Sequence, residues 1–148
     1  MDSRDVGQTV LDFFKILPFN YYGSIEEQVK SVTRKGPIEQ RYPPLKGLVK
    51  PCKNIFEIGT GCGWLTNSIA YTHKKKITGL DFNPRAIERA SAVAKKLELQ
   101  SEFLCQDLFA FSEEKRTNED CLDLIISLGV LHHTDNCIGA IKAICKIY

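Results

Sequence analysis

Residues 54–65 read NIFEIGTGCGWL, an apolar run, an acid, and then glycines at positions 59, 61 and 63. A side chain at Gly59 or Gly61 would hold a ligand away from the backbone, and glycine also permits positive φ. The helix expected next offers free N–H groups and a positive dipole end, which suit a carboxylate or phosphate. Alone, the pattern fits a tight strand-to-helix turn equally well. Asp81 supplies a second signal. It ends the stretch ITGLD, where a carboxylate can accept bonds from both hydroxyls of a ribose. Asn83 before Pro84 already provides the helix cap that would otherwise account for an acid there. Loop and acid together read as a site for a nucleoside-containing cofactor. A dinucleotide is one candidate, but its GxGxxG fingerprint fits poorly. The third glycine arrives one residue early, and Trp64 stands where that pattern expects glycine.

These residues need a scaffold, and from Asn54 onward strands and helices alternate. Strands are predicted over Ile55–Ile58, Lys76–Leu80, Glu102–Cys105 and Leu122–Ser127. Helices are predicted from about Trp64 to Tyr71 and from Pro84 through about Leu97. FAFSEEKRTNED reads as a short polar helix or loop. Asp135 or Asn136 caps a last helix with Ile138, Ile141, Ile144 and Cys145 on one face. Such alternation gives an α/β domain on a parallel sheet, whose ligands bind beyond the carboxyl ends of the strands. Glu57 with its glycines, Asp81, Asp107 and the segment SLGVLHHT all fall there.

The first fifty residues differ. Val10, Phe13, Phe14 and Leu17 fall at helical spacing and predict a helix ending before Pro18. In FNYYGSIEEQVKSV, Ser24 and Glu27 form a capping box for a second helix that stops near Gly36-Pro37. YPPLKGLVKP is a turn-rich connector. Residues 1–50 therefore read as a helical extension packed on a main domain at 51–148.

Composition narrows the function classes. With 148 residues there is one core, and a net charge of +2 is too small to imply nucleic acid or an anionic membrane. Lys74, Lys75 and Lys76 read as a solvated turn. The six cysteines form no CxxC pair and no zinc-finger spacing, so no metal is expected. Free thiols in apolar segments, without a signal peptide or membrane span, point to a cytoplasmic protein.

Four segments together, EIGTGCG (57–63), GLDFNPRAIERA (79–90), CQDLF (105–109) and DLIISLGVLHHT (123–134), resemble the class I S-adenosylmethionine-dependent methyltransferases. The resemblance covers about residues 51 to 147. It implies a Rossmann-like fold with a seven-stranded sheet in the order 3-2-1-4-5-7-6, and S-adenosylmethionine as cofactor. By that resemblance the loop from Glu57 through Gly59, Thr60, Gly61 and Gly63 wraps the methionine part. Asp81 holds the ribose hydroxyls, with Phe82 against the adenine. Asp107 accepts the adenine amino group, and Leu108 supplies a backbone N–H. Ser127 and Leu128 line the methyl-donor pocket. His132 and His133 are the candidates for a general base, since imidazole ordinarily titrates near neutral pH. Tyr21 and Tyr22 are candidates for a lid over the substrate, with plain packing as the alternative. Relatives that methylate the amino group of adenine or glutamine resemble one another in an Asn/Asp-Pro-Pro-Tyr stretch after strand four. SLGV stands there in this chain, which favours a small-molecule acceptor over nucleic acid.

Only four of the seven strands are legible, so the chain reads as the fold's N-terminal half, truncated after strand four. Leu122–Ser127 then becomes an apolar sheet edge that invites a second copy or a complementary polypeptide. Three readings follow. The first is a small-molecule methyltransferase with an incomplete acceptor pocket, which could leave so short a chain inactive. The second is a non-catalytic module binding the cofactor or a partner. The third is an NAD-dependent oxidoreductase fragment.

Overall fold

The computed structural model describes Thr9, residues 12–14, Ile16, Pro18, 20–114 and 121–148. In chain order the helices are α1 (Ile25–Val32), α2 (Ile38–Arg41), α3 (Trp64–His73), α4 (Pro84–Lys96), α5 (Leu108–Glu114) and α6 (Cys137–Ile147). The strands are β1 (Ile55–Ile58), β2 (Ile77–Asp81), β3 (Ser101–Cys105) and β4 (Leu124–Ser127). They form one parallel sheet in the order β3-β2-β1-β4. This reproduces the first four positions of the expected seven-stranded order.

Strand β1 is central and buried along its whole length. Successive side chains point to opposite faces, so β1, β2 and β4 each feed two cores. Ile55, Ile77 and Ile126 pack with Leu65 and Ile69 of α3. Phe56, Ile58 and Leu80 pack with Leu108 and Phe111 of α5 and with Ala140, Ala143 and Ile147 of α6. Helices on both faces of the sheet make three layers.

The N-terminal segment shares the first of these cores through Ile38, Leu45 and Val49. Its capping box is present: Glu27 N–H donates to Ser24 Oγ at 3.1 Å, and Ser24 N–H donates to Glu27 Oε2 at 3.2 Å. Helix α1 ends at Val32, short of Gly36-Pro37. The reason lies in Arg41, whose guanidinium donates to the carbonyls of Ser31 and Val32. Those acceptors would otherwise have served a further turn. Helix α2, behind Pro37, was not anticipated by the spacing. Thr9, residues 12–14 and Ile16 are helical; Val10 and Leu17 lie outside the described residues.

The sequence misplaced three further features. Lys75 is no solvated turn residue, because its ammonium donates to the carbonyls of Val49, Lys50 and Cys52 and staples the connector to β2. β4 begins at Leu124, not Leu122, because Asp123 is spent on accepting the N–H groups of Lys53 and Asn54 at 2.6 and 2.7 Å. On α6, capped by Asn136, the face that packs is Ala140, Ala143 and Ile147. Ile138 and Ile141 are 69% and 49% exposed, and Cys145 is exposed too. Ile144 does pack against this cluster, as its spacing predicts, and the small alanines let α6 lie close to α5.

Among the described residues β4 is a sheet edge with only Ile126 buried. No described helix is long and apolar enough to cross a membrane. All six cysteines are free.

Candidate active site

The carboxyl ends of the strands open onto a cavity of about 930 Å³. Its floor is the glycine loop. Gly59 has φ 72°, and a Cβ there would come within 2.2 Å of Val130 Cγ2. The loop after β4 thus closes directly onto the loop after β1. The N–H groups of Gly59 and Thr60 both donate to Leu80 O, at 2.7 and 3.0 Å, which locks the turn to β2. Gly63 also has positive φ, and a Cβ there would come within 2.7 Å of the Ala90 Cβ. It sets the packing of α3 on α4 and does not line the cavity. Trp64, one residue on, does line it.

Glu57 is 4% exposed. Its Oε2 accepts from Thr66 N–H at 2.9 Å, from the Thr66 hydroxyl, and from the Thr60 hydroxyl at 3.1 Å. Burial nevertheless dominates and pushes its pKa up to about 7, against the pull of these donors. Asp81 is bound at both oxygens: Gly61 N–H donates to Oδ2 at 2.8 Å and Asn83 N–H to Oδ1 at 2.9 Å. Burial raises its pKa as well, opposed by those backbone donors. One carboxylate thus ties the tip of the glycine loop to the start of α4. Asn83 completes the junction, accepting from Arg85 N–H at 3.1 Å and donating to the Phe14 carbonyl at 2.9 Å. Asp107 caps α5 through Oδ1, which accepts from the N–H groups of Phe109 and Ala110 at 2.9 and 3.1 Å.

Of the sequence-predicted residues, Glu57, Gly59, Thr60, Gly61, Asp81, Phe82, Asp107, Leu108, His132 and His133 come together around the cavity, with Leu128. Four do not. Besides Gly63, Ser127 stays within β4, its Oγ buried and without a hydrogen-bond partner. Tyr21 lies across α4, with the guanidinium groups of Arg85 and Arg89 over its ring at 4.8 and 4.2 Å and Arg89 donating to its hydroxyl at 2.7 Å. Tyr22 lines a separate groove with Arg41. The N-terminal segment contributes Phe14, Pro18 and Asn20 to the cavity instead, and the connector contributes Tyr42. Phe14 meets the His133 ring edge-on at 5.5 Å. Helical spacing had marked Phe14 as apolar, but nothing in the sequence gave its distance from His133.

A parallel sheet with a glycine loop after its central strand and an acid ending the neighbouring strand defines a Rossmann-like nucleoside-binding protein. Residues 50–148 match the profile of the methyltransferase domain family, and the chain belongs to that family. Over 74 residues it is 34% identical to the release factor glutamine methyltransferase of Koribacter versatilis, covering 49% of this chain and 25% of that protein. The chain spans less than two fifths of the length of the curated relatives it matches. In structure it is similar to the magnesium protoporphyrin IX methyltransferase of Synechocystis solved with bound SAM. There the TM-score is 0.62 at 17% identity, over 99% of this chain and 72% of that one. It is equally similar to the [4+2]-cyclase SpnF, with a TM-score of 0.62 at 16% identity, over 95% of this chain and 55% of that one. Likeness at this level shows the fold.

Proposed function

We propose that the chain binds S-adenosylmethionine and serves methyl transfer to a small-molecule acceptor. The observation that carries this reading is Asp81, buried at the end of β2, clamped by Gly61 and Asn83, and lining the cavity. Each of its oxygens has a lone pair beyond the one its backbone donor uses, which suits a pair of ribose hydroxyls. Space also fits, since Asp81 lines a cavity of about 930 Å³.

On this reading Phe82 packs against adenine. Asp107 offers its second oxygen to the amino group, Oδ1 being committed to the helix cap, and Leu108 offers the N–H of a first helical position. The bound sulfonium supplies an already activated methyl group. The protein therefore has to align an acceptor and keep water out. His132 and His133, with ring centroids 3.9 Å apart at the β4 end, would accept the proton of an acceptor hydroxyl.

Calorimetric titration with S-adenosylmethionine, S-adenosylhomocysteine and NAD tests the cofactor class. Heat with both adenosyl ligands and none with NAD is expected; silence from both would end this reading. A second reading, a protein acceptor, draws on the glutamine methyltransferase relative. Against it stands SLGV at 127–130 in place of Asn/Asp-Pro-Pro-Tyr. Transfer of labelled methyl groups to a small-molecule extract, and not to the protein fraction of the same cells, would separate the two. For the open edge of β4, a second copy or a complementary chain is the proposed partner, and light scattering of the purified chain tests the first.

A further inference from the structure

The two ends of the cavity differ in chemistry. The Asp81, Phe82 and Asp107 end lies over β2 and β3, while residues 128–136 lie over β4, at the opposite side of the sheet. At about 930 Å³ the space stands near the top of the range for one drug-sized ligand, ~300–1,000 Å³. Beyond the adenosyl end its walls are Tyr42, Trp64 and Leu128, which pack against one core cluster, with Phe14 and His133 in edge contact. Among the described residues the acidic side chains that line the cavity are Glu57, Asp81 and Asp107, with Asp135 at the β4 end. Among the described residues no Lys or Arg lines it.

Resting on the cofactor reading above, we infer that the acceptor is an uncharged, ring-bearing hydroxy compound, and that the β4 end of the cavity rejects anionic acceptors. Aromatic walls favour a flat apolar body through burial and edge or stacked ring contacts. An acceptor carboxylate or phosphate would have to leave water for a cavity whose described charged lining is carboxylate, with no described Lys or Arg to pair it. The hydroxyl is the group that the two histidines can relieve of a proton as the new C–O bond forms at the methyl carbon and the C–S bond breaks. The products are the methyl ether and S-adenosylhomocysteine.

Three matched probes test this by equilibrium dialysis into protein saturated with S-adenosylhomocysteine: 2-naphthol, 6-hydroxy-2-naphthoate and 6-(aminomethyl)-2-naphthol. The neutral probe should bind at least about tenfold tighter than the carboxylate, and tighter than the ammonium. The variant Phe14→Lys should raise carboxylate affinity and narrow that ratio. Equal or tighter binding of the carboxylate overturns the inference, as does preference for the ammonium or no binding of any probe. In each of those cases calorimetric binding of S-adenosylhomocysteine would leave the cofactor reading standing. Absence of that heat would end both.

Discussion

Asp81 and His133 line the same cavity, yet the protein holds them in different ways. Asp81 is buried and bound at both oxygens by backbone N–H groups of two different elements. His133 is exposed on a single 3-10 turn, with ring contacts to Phe14 and His132. The first end is fixed by the main chain before any ligand arrives. The second is shaped by side chains on an edge strand and an N-terminal segment. Preorganisation suits a cofactor that never varies, and a side-chain wall suits an acceptor that must enter and leave. Val130 over Gly59 joins the two ends.

Gly59→Ala should break the comparison most severely. It places a Cβ within 2.2 Å of Val130 at positive φ, so a loss of about 3–4 kcal/mol in denaturant-measured stability is expected, together with loss of adenosyl binding. Next comes the pH response of the fixed end. Glu57 has its pKa raised by burial to about 7 from 4.5, so its proton is held more tightly in the folded state. Its contribution to stability is complete below about pH 4.5 and is lost as pH rises through 7. The total is on the order of 3 kcal/mol. Glu57→Gln, whose neutral amide oxygen can still accept from Thr60 and Thr66, should flatten that slope in urea titrations at pH 5 and pH 8.

Asp81→Asn keeps the shape and removes the charge. Affinity for S-adenosylhomocysteine should fall more than about tenfold, while NAD binding stays absent. At the other end His133→Ala should change stability by less than ~0.5 kcal/mol and yet slow transfer to a hydroxyl acceptor. A stability loss comparable to that of Gly59→Ala would erase the distinction between the ends. Smallest is a labelling difference. Burial pushes the Cys62 thiol up to about 11, so iodoacetamide should modify exposed Cys105, Cys121, Cys137 and Cys145 first, with Cys62 spared until the chain unfolds.

Legibility in the sequence follows the same division. β1, the start of α3 and the Asn83-Pro84 opening of α4 could be read because local rules govern them: an apolar run, a glycine turn, a side-chain cap with proline behind it. The position of Asp81 at the end of β2, on the cavity wall, was legible because it follows from the strand alone. What escaped depends on partners distant in the chain. Lys75 reaches carbonyls more than twenty residues away, and Arg41 shortens a helix ten residues earlier. Gly63 resembled its neighbours in the loop, but Ala90 of α4 decides its role. Periodicity likewise placed Ile144 of α6 correctly but not Ile138 and Ile141, because Ala140, Ala143 and Ile147 share the packed face.

Amide hydrogen exchange with and without S-adenosylhomocysteine tests the central claim most directly. Protection should rise most at residues 59–63, 81–83 and 107–109, with a smaller change across 130–136. Protection confined to 130–136, or none at either end, would contradict an adenosyl site built on Asp81.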